Sequence, residues 1–234
     1  HYKSIWKLNF LAGHQQNDMA WLGVTDSLID IDRRTNSNSN QEKDRFLQTL
    51  TQLKNSWQIG QFSSLETSIY HTFLKGNYGF DFNNFIGLSS TDELYNYAFQ
   101  SNLVGFFSNY TLSKKQFNLI SGVHGNIYNR QHTGSEKTIG QLYQNTGYKN
   151  EISVFTKVDY SLKWFAFFAD VQYRYVNFDY KGSVALQKLD WHFINPKAGL
   201  SATLNNNYIL YYSVGYTGRE PTRNDMFGGN DDLL

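Results

Sequence analysis

The residues with the most chemistry to offer lie in the run GREPTRNDMFGGNDDLL at 218–234 of the 234-residue chain. Arg219, Glu220, Arg223, Asn224 and Asp225 set two guanidinium groups beside two carboxylates and an amide. That mixture suits charge-assisted hydrogen bonds to a fixed partner, an anchoring role, better than a like-charged run would. Its plainer reading is a solvated loop with local ion pairs of little energetic weight. A second group is aromatic. Trp21, Tyr78, Tyr95, Tyr97, Tyr143 and Trp191 fall between the segments with regular apolar patterning, and His192 stands beside Trp191. Such rings offer stacking faces and polar edges to a flat or sugar-like ligand, and would look the same if they only packed on one another.

Other chemistries find little footing. The six histidines have no short ligand spacing, cysteine is absent, and neither a metal site nor a cofactor is expected. No G-x-G-x-x-G, P-loop, G-x-S-x-G or H-E-x-x-H run occurs. The acids of DSLIDIDRR at 26–34 lack EF-hand spacing. A Ser–His–acid hydrolase would have only His71 to offer, on an outward strand face and without an assignable partner. A net charge of +1, from 21 basic and 20 acidic residues, supplies no field for nucleic acid.

The elements that must position these residues are strands. Aromatic residues make up 17% of the chain and only 2 residues are proline, a composition that favours uninterrupted strands. In NYILYYSVGYT at 207–217, Tyr208, Leu210, Tyr212, Val214 and Tyr216 share one face, opposed by Ser213, Gly215 and Thr217. Residues 151–160, 165–175 and 194–204 alternate in the same way. Less regular alternation gives strands near 2–14, 43–59, 64–75, 98–112 and 117–131, about nine in all. The connections at 60–63, 113–116, 161–163 and 205–207 read as tight. Those at 15–42, 76–97, 132–148 and 181–193 read as long loops. Since antiparallel strands send successive connections to opposite ends, all tight turns fall at one end, as in outer-membrane barrels. Trp57, Phe117, Trp164 and Tyr208 lie next to the tight turns, where an aromatic girdle would meet the lipid boundary. No apolar run is long enough for a membrane helix. An odd, unclosed set of strands would leave a bare edge in lipid, so the chain is expected to be a piece of a larger barrel.

SVGYTGREPTRNDMFGGNDDLL at 213–234 resembles the strand-to-loop segment of TonB-dependent outer-membrane receptors, especially those of Bacteroidetes-type bacteria. AGHQQNDMAWLG, YNYAFQSNLVGFFSNYT and FDYKGSV resemble that group too. The resemblance implies an all-β fold: an antiparallel transmembrane β-barrel segment, about nine strands of a 22-stranded plugged barrel. All of 1–234 would belong to the barrel domain, with the plug and remaining strands outside it. It implies energised uptake of a nutrient across the bacterial outer membrane, an iron–siderophore or similar chelate first among the candidates. The implied partners are TonB, reached through the plug, membrane lipid and the nutrient ligand; no nucleic acid is expected. The rival reading is a soluble all-β carbohydrate-binding module, and no enzyme activity is expected from either.

Overall fold

A computed structural model describes residues 3–89, 94–205, 208–222 and 225–226. Nine strands form one antiparallel sheet in sequence order: β1 (Ser4–Asp18), β2 (Lys43–Gln58), β3 (Ser63–Asp81), β4 (Leu94–Lys114), β5 (Phe117–Glu136), β6 (Gly140–Ser161), β7 (Phe165–Gly182), β8 (Leu186–Asn205) and β9 (Tyr208–Gly215). Two short helices, α1 (Asp26–Ile31) and α2 (Phe82–Phe85), lie in the connections after β1 and β3. Every strand expected from alternation is present. The sheet has no second sheet facing it among the described residues, so it lacks the two opposed layers that a soluble sandwich requires.

Two of the four long loops are corrected. The expected loop 132–148 is the top of a hairpin, with β5 continuing to Glu136 and β6 starting at Gly140. The expected loop 181–193 is likewise mostly strand, with only 183–185 left between β7 and β8. Residues that face water on both sides of a strand need no alternation, so the period-two signal disappears while the backbone ladder continues. The tips close through local chemistry. Gly140 (φ +93) and Gly182 (φ +138) adopt backbone angles that side chains rarely tolerate. Glu136 Oε2 accepts from Thr138 N, Thr138 Oγ1 and Ile139 N at 3.0, 2.6 and 2.7 Å. The connections 19–42 and 82–93 remain the two long ones.

One face of the sheet is apolar and unpaired. Trp6, Leu8, Phe10, Ile69, Phe106, Ile152, Val154, Phe167, Val171, Leu200, Tyr212 and Val214 all share it and are all exposed. The row of partners through Leu8 runs Leu53, Ile69, Phe106, Gly125, Ile152, Tyr175 and His192. The exposed apolar residues of β8 on that face, Ile194, Leu200 and Leu204, centre about seven positions below His192. Seven steps from β1 to β8 thus shift the stripe by about one residue each. At a rise near 3.3 Å against a strand spacing near 4.8 Å, that slant is about 35°, the tilt of strands in a closed barrel.

The opposite face is polar and carries a repeated pairing. Rings lie across glycines directly opposite them at Gly76–Phe99, Gly105–Tyr70, Gly122–Phe155, Gly134–Tyr143, Gly147–Tyr180 and Gly199–Phe168. A Cβ at Gly105, Gly122 or Gly134 would collide with its ring. On the inside of a curved sheet side chains converge, and a glycine lets a ring lie along the wall instead of standing away from it. Lys7, His124, Asn126, Arg130, Asp170, Gln172, Arg174 and Lys197 occupy this same face.

The two faces predict opposite responses to charge. Val171→Lys, in the middle of the apolar stripe, should lower the stability of vesicle-folded protein by about 2–4 kcal/mol, whereas Gln172→Lys on the polar face should cost less than about 1 kcal/mol. Urea titration of the two variants in lipid vesicles checks this, and equal losses would contradict the assignment of faces.

Candidate functional site

The polar face of β5–β8 is crossed by the chain that follows β9. The crossing begins at Pro196. Its carbonyl accepts from Tyr216 N at 3.0 Å, but a proline has no N–H to return the bond, so the β8–β9 ladder stops there. Asn195 Oδ1 then takes the next free amide, Gly218 N, at 2.8 Å. The segment 216–222 is drawn over the sheet, and Glu220 reaches its centre.

Glu220 meets two cations from neighbouring strands. Its Oε1 accepts from Lys149 Nζ of β6 at 2.5 Å and from Arg174 Nη2 of β7 at 2.9 Å. Its Oε2 lies 2.8 Å from Arg174 Nη1. Arg174 Nη2 also donates to Glu151 Oε2 at 2.8 Å, and Lys149 lies 3.9 Å from the same oxygen. Two cations and two carboxylates therefore balance in a site where the Glu220, Glu151 and Arg174 side chains are only 14%, 15% and 17% exposed. Burial opposes ionisation of Glu220. The hydrogen bonds from Lys149, from its own backbone and from Arg174 outweigh it and hold the carboxyl at about 2.

This bridge borders a cavity of about 500 Å³. Its walls combine Tyr128, Val176, Phe178, Tyr180 and Trp191 with Arg130, Arg174 and Arg219. The volume is in the range of small-molecule sites, and the mixture of rings and cations suits an anionic ligand with apolar parts. Arg130 is held over the Phe99 ring at 4.4 Å, which fixes one of these cations against the wall.

The other candidate residues divide into separate places. Trp21 stacks on Phe80 at a centroid distance of 5.7 Å and meets Phe85 in a tilted contact at 5.4 Å. Tyr97 meets Tyr78 at 5.2 Å and Tyr95 at 6.5 Å, and Phe80 is the register partner of Tyr95. Trp21, Phe80, Tyr95, Tyr97 and Tyr78 thus line the upper polar face of β3 and β4. Tyr143 is buried over Gly134 in the same row as Tyr97. Trp191 borders the cavity. His192 does not accompany it: the expected loop is strand, adjacent strand residues point to opposite faces, and His192 meets Tyr173 Oη at 2.7 Å on the apolar side. Arg219 lines the cavity, while Asp225 binds Thr222 N and Oγ1 at 2.8 and 2.7 Å in a local turn. Arg223 and Asn224 lie outside the described residues. His71 has Asn102 Oδ1 at 3.4 Å as its partner, neither the acid nor the nucleophile that a hydrolase needs.

The sequence reading missed a clasp between the two long connections. Glu42 is fully buried. Its carboxylate accepts from Ser39 N at 2.8 Å, Asn84 Nδ2 at 3.0 Å and Asp81 N at 3.3 Å. Asn84 Nδ2 also donates to Ser37 O at 3.0 Å, and Asn38 Oδ1 accepts from Leu22 N at 3.0 Å. A lone Glu at the head of a strand gives no sequence sign of this, because its partners are backbone groups and a distant amide.

Solved structures share this architecture. The ferric citrate transporter FecA in its unliganded form matches 89% of the chain with a TM-score of 0.67 at 10% identity. The ferric-catecholate import receptor Fiu from E. coli K12, in its open form, matches 93% with a TM-score of 0.70 at 9% identity. The ferric yersiniabactin uptake receptor FyuA from Yersinia pestis matches 89% with a TM-score of 0.63 at 12% identity. The likeness is one of fold. The chain spans 33%, 45% and 34% of those three proteins, and over that span its nine-stranded antiparallel all-β sheet shares their fold. No protein-family model matches the sequence, and no curated protein does.

Two predictions follow from the bridge and the clasp. The folded pKa of Glu220 lies below the ordinary 4.5, so its contribution is complete above pH 4.5 and is lost as pH falls through about 2. With Trp191 as the sole tryptophan, its fluorescence should stay constant from neutral pH to about 4.5 and change on further acidification; Glu220→Gln should abolish that transition. Glu42→Ala should leave Ser39 N and Asp81 N without their acceptor, easing local opening by about 2 kcal/mol, or roughly thirtyfold faster exchange of those amides.

Proposed function

We propose that the chain is a length of barrel wall from a TonB-dependent outer-membrane receptor of the Bacteroidetes type, which imports a nutrient chelate, iron bound to a siderophore. The observation that carries this reading is the division of one sheet into a slanted, exposed apolar stripe and a polar face bearing a ring- and cation-lined cavity. A wall between lipid and lumen needs both faces, and neither a soluble module nor a lipid-face enzyme needs both. The fold shared with three ferric-chelate receptors supports the same reading. The remaining wall and the lumen-filling plug would lie in sequence beyond these residues. TonB would act through the plug, and the wall would supply a fixed surface against which plug and ligand move.

In this reading the upper polar face is the ligand's entry path. Trp21 and the tyrosines of β3 and β4 would meet it first, and the cavity beside Arg174 would hold it deeper in the lumen. The long hairpins β5–β6 and β7–β8 extend that surface outward as rigid ladders, and the connections after β1 and β3 are clasped to each other through Glu42 and Asn84.

The test uses the full-length protein in its own bacterium. It should fractionate with the outer membrane, require detergent for extraction, and migrate faster on a gel unheated than boiled. Deleting its gene should abolish growth when iron is supplied only as one ferric siderophore, restored by the intact gene. A full-length protein recovered from the aqueous fraction without detergent would refute the membrane assignment. Normal growth of the deletion strain on every ferric chelate supplied would refute iron as the cargo.

A further inference from the structure

Glu220 is held in a way that suits a stand-in better than a permanent strut. Arg174 turns its forked nitrogens toward both carboxylate oxygens, the arrangement by which guanidinium recognises carboxylates generally. The fit is incomplete: Oε1 accepts at 2.9 Å from Nη2, while Oε2 sits 2.8 Å from Nη1 and is buried without an aligned hydrogen bond. A carboxylate on a free ligand, not tethered to a backbone, can align both oxygens with the fork.

The surroundings allow exchange. The bridge opens on the cavity of about 500 Å³ bordered by Trp191, Tyr128 and Arg130. The segment that brings Glu220 in is fixed upstream by two bonds, Tyr216 N to Pro196 O and Gly218 N to Asn195 Oδ1. Downstream, Thr222 N and Oγ1 donate to Asp225 Oδ2. Withdrawing Glu220 therefore breaks no rung of the sheet. Charge makes the withdrawal conditional. Lys149 and Arg174 are balanced by Glu151 and Glu220; removing Glu220 alone leaves an uncompensated cation in a largely buried site, an unfavourable state. An arriving anion removes that penalty.

We propose that Arg174 and Lys149 form a recognition site for a carboxylate of the imported ligand, that Glu220 occupies it in the empty receptor, and that ligand binding displaces Glu220 from the two cations. This rests on the reading of the chain as receptor wall. The exchange makes and breaks only ion pairs and hydrogen bonds, and the segment acts as an internal competitor.

The experiment uses full-length protein in detergent with tricarballylate as a metal-free carboxylate probe and its trimethyl ester as a neutral control. Calorimetry should show binding of the acid and not of the ester. Glu220→Gln should tighten binding by about tenfold, because a competitor occupying the site most of the time has been removed. Arg174→Gln should abolish it. The probe should also speed tryptic cleavage at the Arg219–Glu220 bond. Strand content and heat-dependent gel migration establish that each variant is folded. Binding no tighter in Glu220→Gln, binding retained in Arg174→Gln, or no binding by any folded form would overturn the exchange. Correct membrane folding alongside any of these results leaves the receptor reading standing. Failure to fold in the outer membrane removes that reading and this inference with it.

Discussion

In the barrel wall proposed above, hydrocarbon would offer no hydrogen bonds, and this constraint would order the whole sheet. Each backbone N–H and C=O in the span must find a partner in the neighbouring strand, because leaving one bare costs several kcal/mol. Nine strands in sequence order, each paired antiparallel with the next, meet that demand everywhere except along the outer edges of β1 and β9. The same constraint frees the outer side chains from packing on one another. Among the described residues, Leu8, Ile69, Ile152 and Val171 have no apolar layer facing them. Their exposure would be a fault in a water-soluble domain and is the requirement of a lipid-facing wall. The slant of their stripe adds a second condition, since strands in a closed barrel cannot run parallel to its axis.

The inner face answers to curvature. There the difficulty is crowding, and it is met by setting a glycine opposite a ring. Tyr70 crosses Gly105 and reaches His124 Nε2 at 2.8 Å, so one glycine yields a ring contact and a hydrogen bond two strands away. Tyr143 lies over Gly134 in the same manner and is, with Val176 and Tyr180, one of three buried apolar side chains among the described residues. Rings flattened in this way leave the lumen open, and the space they leave beside Val176 and Trp191 is the cavity. The candidate site is in this sense a consequence of how the wall is tiled.

What the sequence disclosed follows from which forces leave a local trace. Alternation records a difference between two faces, and all nine strands were legible wherever one face is apolar and the other polar. At 132–148 and 181–193 the two faces no longer differ in this way, the trace vanishes, and hairpins read as loops. That error also joined Trp191 to His192, which a strand separates. Glu220 stood out by composition, yet its partners Lys149 and Arg174 lie 71 and 46 residues away, and nothing in a single chain of letters encodes that meeting. The glycine–ring pairs are hidden for the same reason: each glycine is unremarked until register places a ring opposite it. Glu42 is an ordinary strand-leading acid until Ser39, Asp81 and Asn84 surround it.

Pro196 shows how a single residue converts wall into site. A strand residue sends its N–H and C=O to the same neighbour, and Pro196 sends its carbonyl toward β9. Any other residue there would also offer an N–H, and the ladder would have a rung on which to continue past Gly215. With that rung missing, the Asn195 side chain captures Gly218 instead, turning the chain off the edge of the sheet and over its polar face. Glu220 stands two residues further on, just within reach of Arg174. Restoring the rung would favour a longer β9 and hold residues 216–220 at the edge, away from the cations. The ion bridge, with its balanced charges and its opening to the cavity, therefore depends on a missing N–H at its margin as much as on the charges at its centre.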